Sequence, residues 1–132
     1  MENIISHLPE LLILVFIAVT FLQSGLDKVF DWKGNIGWLK GHFSKTILGG
    51  MVPLMVGIIL VAEVLTGILA VIGFFLLSFQ NEKEIALLST VMAAITLLML
   101  LLGQRMAKDY AGAFTITGYF IVVIFGVYLL NQ

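Results

Sequence analysis

Residues 48–79 read LGGMVPLMVGIILVAEVLTGILAVIGFFLLSF, an apolar run in which Glu63 is the one charged residue. A helix of this length measures about 48 Å at 1.5 Å per residue, well beyond the hydrocarbon core of about 30 Å that a transmembrane helix must cross. The run also lacks the alternation of apolar and polar residues that membrane β-strands show. It therefore predicts a transmembrane helix that holds a carboxyl group inside it.

Three further apolar runs surround this segment, at about residues 8–30, 85–102 and 111–130. Each is long enough to span a bilayer, and a helix satisfies all of its own backbone groups in lipid. We therefore predict an all-α membrane protein, a four-transmembrane-helix bundle that forms a single transmembrane domain over residues 1–132.

The composition supports a lipid-embedded chain and excludes several functions. Hydrophobic residues make up 61% of the sequence and charged residues 11%, against roughly 45–50% and about 25% in soluble domains. The seven basic residues and the net charge of −1 cannot form the basic surface that nucleic acid binding needs. The absence of cysteine excludes disulfides, thiol redox motifs and thiolate metal sites.

The N-terminus lacks the basic start of a cleavable signal peptide, so we expect the first apolar run to be retained.

The connections between the spans carry most of the charges. In the first connection Trp32, Trp38 and Phe43 alternate with lysines, which is typical of the headgroup zone and predicts a short interfacial segment between the first two spans. The first and third connections and the adjoining helix ends hold six of the seven basic residues, with only Lys83 on the other side. The positive-inside rule then places these two connections in the cytoplasm and both termini outside.

Small residues recur at helical spacing within the spans and predict seams where backbones approach closely. An alternative is that they line a cavity for a flat ligand. Each span has such a stripe: Ala18 and Gly25 in the first, Gly67, Ala70 and Gly73 in the second, Ser89, Ala93, Thr96 and Gly103 in the third, and Thr115, Gly118 and Gly126 in the fourth.

Glu63 is the most informative residue, because a carboxylate within lipid costs at least ~2.5 kcal/mol and needs a partner, a proton or a cavity. If its helix enters the bilayer near Gly50, Glu63 lies about 20 Å deep, beyond the reach of basic residues at the helix ends. If the span starts nearer Gly57, the depth falls to about 10 Å. Lys28 or Arg105 could then extend down to it. The sequence leaves both alternatives open.

Two roles for this acid follow. In the structural one, Glu63 is a paired charge or a protonated acid that fixes the register of the bundle. In the functional one, a polar pocket at the cytoplasmic end holds a polar headgroup or moves protons. The candidate binding residues of that pocket are Ser24, Asp27, Lys28, Glu63, Arg105 and Asp109. Whether the chain catalyses a reaction stays open, and no catalytic residue is assigned.

Histidine offers little support for a haem or another metal site. His7 and His42 lie in predicted connections on opposite sides of the membrane, so they cannot form a bis-histidine haem site within one bundle. No zinc spacing, nucleotide-binding loop or serine–histidine–aspartate set is present. Any redox chemistry would need a reactive group from outside the chain.

Three short stretches of this sequence resemble the DoxX family of small four-helix membrane proteins. They are FLQSGLDK at 21–28, EVLTG at 63–67 together with Gly73, and GQRMAKDYAG at 103–112, the last similar to Bacteroidetes members. The resemblance covers nearly the whole chain. It implies a multi-pass protein of the bacterial cytoplasmic (inner) membrane, with Ser24, Gly25, Lys28, Glu63 and Gly67 as matches to the family pattern.

The family takes its name from a subunit associated with quinone-linked oxidation of sulfur compounds. The resemblance therefore implies an accessory or quinone-associated component of a membrane oxidoreductase complex, with a quinone as its cofactor. Its partners would be membrane lipids and either another membrane protein or further copies of itself. The alternative is a non-catalytic scaffold or assembly factor for another membrane complex. Solute or proton transport has little support, because few polar residues line a path across the bundle.

Overall fold

The computed structural model describes residues 2–42, 52–106 and 108–132. Within these ranges all regular structure is helical. Four of the helices, α2, α4, α5 and α6, are long and apolar enough to cross a membrane, which confirms the all-α four-helix membrane bundle. The helices are α1 (Glu2–Ser6), α2 (Leu8–Phe30), α3 (Trp32–His42), α4 (Val52–Gln80), α5 (Glu84–Met106) and α6 (Tyr110–Leu130).

The helix bounds follow the apolar runs closely, with one extension. Helix α5 continues past the predicted Leu102 to Met106, because Gly103 is buried in the bundle and the next residues favour helix. An apolar run marks where hydrophobic side chains end, which can precede the end of the helix. The short α1 was not predicted.

The first connection folds as helix α3, which covers Trp32–His42. A helix between the first two spans agrees with the predicted segment, and its location at a membrane surface stays a prediction. Phe43 and Lys45 lie outside the described residues, as does the predicted start of the second span at Leu48.

The spanning helices form a ring in chain order. Helix α2 packs on α4, α4 on α5 and α5 on α6, and a smaller interface between α2 and α6 closes the ring. Helix α3 lies against α2 and α4. We name the two ends of the bundle by their residues: the His7 end holds the α4–α5 connection, and the Lys28 end holds α3 and the α5–α6 connection.

Several glycines lie where neighbouring helices approach closely. A β-carbon added at Gly73 would lie 2.7 Å from the Cα of Ala86, and one at Gly67 would lie 2.5 Å from the Leu22 side chain. Gly126 is similarly close to α2. These positions confirm the predicted packing seams. Gly118 differs, since a β-carbon there would meet none of the described residues within 4 Å apart from the backbone of its own helix.

A polar cluster joins two elements at the His7 end. His7 Nδ1 lies 3.0 Å from Glu10 Oε2, and Nε2 lies 2.7 Å from Asn81 Oδ1. Asn81 has a φ of 53° in the α4–α5 connection, a left-handed conformation that asparagine tolerates better than most residues. The cluster therefore ties the start of α2 to the connection between α4 and α5.

We expect His7→Ala to lower the free energy of unfolding by about 1–3 kcal/mol, because the buried Glu10 carboxylate would lose its partner. Unfolding of the purified protein in mixed micelles by a denaturing detergent, followed by circular dichroism, measures the change. Glu82→Ala removes an exposed side chain from the same connection and serves as the control, with little change expected. Equal stability of His7→Ala and the wild type would contradict the prediction.

Candidate functional site

Glu63 and Lys28 form an ion pair near the Lys28 end of the bundle. The Nζ of Lys28 on α2 lies 2.8 Å from Oε1 of Glu63 on α4, and the Glu63 side chain is only 1% exposed. Lys28 Nζ also donates a hydrogen bond of 2.7 Å to Ser24 Oγ, one turn earlier on α2. Of the two depths that the sequence left open, the geometry agrees with the one at which a lysine reaches Glu63.

The directions of the two helices explain why these side chains meet. Helical side chains lean toward the N-terminus of their own helix. Lys28, near the C-terminus of α2, therefore leans toward the middle of the bundle, whereas Glu63 on the antiparallel α4 leans toward the Lys28 end. Gly25 allows the helices to approach here, since a β-carbon at that position would lie 2.8 Å from Val64 Cγ2.

The ion pair leaves hydrogen-bonding capacity unused. Apart from the 2.8 Å ion-pair contact with Lys28 Nζ, Glu63 Oε1 has no hydrogen-bond partner within the described part of the chain. The ammonium group has three donors, and one of them goes to Ser24. Both charged groups can therefore bond to a further polar molecule without breaking the pair.

A cavity of about 320 Å³ lies beside Glu63, and all four spanning helices contribute to its wall. Leu97 and Leu100 of α5 and Ile116 of α6 form much of its apolar side. Its polar side consists mainly of Thr20, Gln23, Ser24 and Asp27 on α2, with Glu63 on α4 and Tyr119 on α6.

The gap between α2 and α6 gives access to this cavity. Toward the His7 end the two helices are in contact, where the rings of Phe16 and Tyr119 pack edge to face with centroids 5.9 Å apart. On the other side of that contact, Val19, Gln23 and Asp27 line the cavity and are exposed on the surface of α2. The cavity therefore opens sideways, toward the medium that surrounds the spanning helices.

The structure brings together four of the six candidate residues. Ser24, Lys28 and Glu63 are in direct contact, and Asp27 lines the same cavity. It does not bring Arg105 and Asp109 to this group.

Each of these two residues has a local role at the α5–α6 connection. The guanidinium carbon of Arg105 lies 5.2 Å from the centroid of the Tyr110 ring. The Asp109 carboxylate caps α6 by accepting a 3.0 Å hydrogen bond from the backbone N–H of Gly112.

Three polar residues of the cavity were not among the candidates: Thr20, Gln23 and Tyr119. The signal for the first two is present in the sequence, because Thr20, Gln23, Ser24 and Asp27 follow the i, i+3, i+4, i+7 spacing of one helix face. Tyr119 has no such signal, since its polar neighbours in the cavity lie on other helices. Within the described residues, no group of three or more histidine, aspartate or glutamate side chains could hold a metal ion.

The fold and this site define a class of protein: a multi-pass membrane bundle with a buried carboxylate, paired with a partly exposed lysine, beside a laterally open cavity. Comparison of the chain with protein-family models, with curated proteins and with solved structures finds no match.

Proposed function

We propose that this protein is a DoxX-like integral membrane subunit that binds a quinone headgroup beside Glu63, as an accessory component of a membrane oxidoreductase complex. The observation that supports the proposal most directly is the buried Glu63 carboxylate, which pairs with Lys28 and lines a cavity of about 320 Å³. Charged groups inside a spanning bundle are rare and usually mark a functional site.

The cavity has the chemical groups that a quinone requires. Quinone carbonyl oxygens accept hydrogen bonds, and Lys28 and Ser24 offer donors near the cavity, with Tyr119 on the opposite wall. Leu97 and Leu100 supply apolar contacts for the ring. The volume is at the lower end of the range for ligand sites, about 300–1,000 Å³, so the cavity suits a headgroup whose apolar tail extends through the α2–α6 gap into lipid.

Reduction of a quinone to a quinol takes up two electrons and two protons. A partner protein with its own electron carrier would supply the electrons, because the chain has no cysteine for an iron–sulfur or thiol centre. The contribution of this subunit would be to hold the ring and to pass protons through Glu63. In the proposed orientation the Lys28 end, where most of the basic residues lie, faces the cytoplasm of the bacterial inner membrane.

Direct binding of a short-tailed quinone and of its quinol to the purified protein tests the proposal. We expect Glu63→Gln to weaken binding of the quinol by about tenfold or more, because the carboxylate can accept a charge-assisted hydrogen bond from a quinol hydroxyl. Glu10→Gln is the matched control, since Glu10 is also a buried carboxylate but belongs to the cluster at the His7 end. Wild-type protein that binds neither form would refute the proposal, as would equal binding of the quinol by Glu63→Gln.

The second candidate function, a non-catalytic scaffold or assembly factor, is favoured by the open surface of α6. Gly118 is exposed, and within the described ranges no other part of the chain lies within 4 Å of where its β-carbon would be, so the helix of a partner could approach closely there. Gly118→Leu should then release a partner that co-purifies with the wild type, whereas Glu63→Gln should retain it. The opposite result would favour the quinone-binding subunit.

A further inference from the structure

We propose that a groove between α5 and α6 at the Lys28 end binds an anionic phospholipid, with its phosphate on Arg105 and one acyl chain along the groove. The groove has a volume of about 400 Å³ and shares no residue with the cavity beside Glu63. Its lining consists of Leu101 and Arg105 on α5, and Tyr110, Ala113, Phe114 and Thr117 on α6.

The shape of the groove suits an extended hydrocarbon chain. On α6 its residues follow the spacing of one helix face, and from Tyr110 to Thr117 they extend about 10 Å along the axis. Ala113 is buried and small, which keeps the floor low. Phe114 is 80% exposed and stands beside it as a wall. The groove thus starts at the end of the bundle and continues toward its middle.

A cation lies at the end of this groove. Arg105 is exposed, and its guanidinium lies over the Tyr110 ring. Among the residues that the structure describes, no carboxylate forms an ion pair with Arg105. Asp109, close by in sequence, directs its carboxylate to the start of α6 instead. The guanidinium therefore has donors available for a phosphate, which arginine can bind through two parallel hydrogen bonds.

The combination of charge and apolar surface selects a lipid as the occupant. Arg105 is the penultimate residue of a spanning helix, the position where a basic side chain meets the headgroup layer. A soluble anion would bind the guanidinium but leave the apolar surface of Leu101 and Phe114 uncovered. An anionic phospholipid covers both.

Competition between lipids tests the site on the whole purified chain. The protein is equilibrated with equal amounts of phosphatidylglycerol and phosphatidylcholine in mixed micelles, and native mass spectrometry measures the ratio of the two lipids retained. We expect Arg105→Gln to lower the preference for phosphatidylglycerol about fivefold, the usual contribution of one basic residue at a membrane surface. Thr117→Phe fills the groove without changing the charge and should lower retention of both lipids.

Two matched controls distinguish binding in this groove from non-specific attraction of anionic lipids to the basic surface of the protein. Lys33→Gln removes an exposed cation of α3, and Thr115→Phe adds a ring to an exposed position of α6 outside the groove. Both should behave as the wild type. The proposal is overturned if Arg105→Gln keeps the preference, if Lys33→Gln lowers it equally, or if Thr117→Phe retains as much lipid as Thr115→Phe. Far-UV circular dichroism establishes that each variant is folded before it is compared.

Discussion

Lys28→Leu is expected to destabilise the bundle by about 3–5 kcal/mol, because it leaves the Glu63 carboxylate buried without its cation. Glu63→Leu is expected to cause a clearly smaller loss. The freed Lys28 side chain is 17% exposed and lies close to the end of α2, so its ammonium group can extend toward the interface. Unfolding in mixed micelles by a denaturing detergent, followed by circular dichroism, gives both values.

Two further variants make this comparison decisive. Lys33→Leu removes an exposed lysine from α3 and should change stability little. The double variant Lys28→Leu with Glu63→Leu should be more stable than Lys28→Leu alone, because no charge then remains buried. Equal and severe losses in the two single variants, with normal membrane insertion, would contradict a structural role in which only the carboxylate needs a partner.

Gly73→Ala is expected to lower the free energy of unfolding by about 2–3 kcal/mol, the upper part of the range for overpacking. The added methyl group would lie 2.7 Å from the Cα and 2.8 Å from the backbone nitrogen of Ala86. Backbone atoms cannot rotate away as a side chain can, so α4 and α5 would have to separate. The same unfolding measurement in mixed micelles tests the effect.

Gly118→Ala is the matched control for this substitution. It adds the same methyl group to a spanning helix, but beyond the helix's own backbone no atom of the described residues lies within 4 Å of the new β-carbon. Because alanine favours helix over glycine by up to about 1 kcal/mol, stability should stay the same or rise slightly. If Gly73→Ala proved as stable as Gly118→Ala, the close approach of α4 and α5 would not matter for stability.

The sequence predicted the spanning helices because the thickness of the hydrocarbon core limits where an apolar run can start and end. It did not decide how deep Glu63 lies. Helix α4 has 29 residues and measures about 43 Å, so it can cross the bilayer at several heights. The contacts of Gly25 with Val64 and of Gly67 with Leu22 set the height of α4 against α2, and no pattern within one helix contains that information.

The candidate site was predicted in part, for a related reason. Lys28 and Glu63 were predicted because charged residues inside apolar runs are rare. That pattern can be recognised within the sequence of a single helix. Whether Arg105 joins them depends on the direction in which the last turn of α5 faces, which only the packing of α5 on α6 decides. For Asp109 a local signal was present: an aspartate directly before an apolar run is typical of a helix N-cap.

The α2–α6 gap has a consequence for how the protein is made. Lys28 and Glu63 can pair as soon as α2 and α4 are in the membrane, before α5 and α6 have been synthesised. The cavity acquires the wall formed by Ile116 and Tyr119 only when α6 reaches α2. A chain interrupted before α6 would therefore hold its charge pair but could not enclose a ligand, so ligand binding would report that all four spans have assembled.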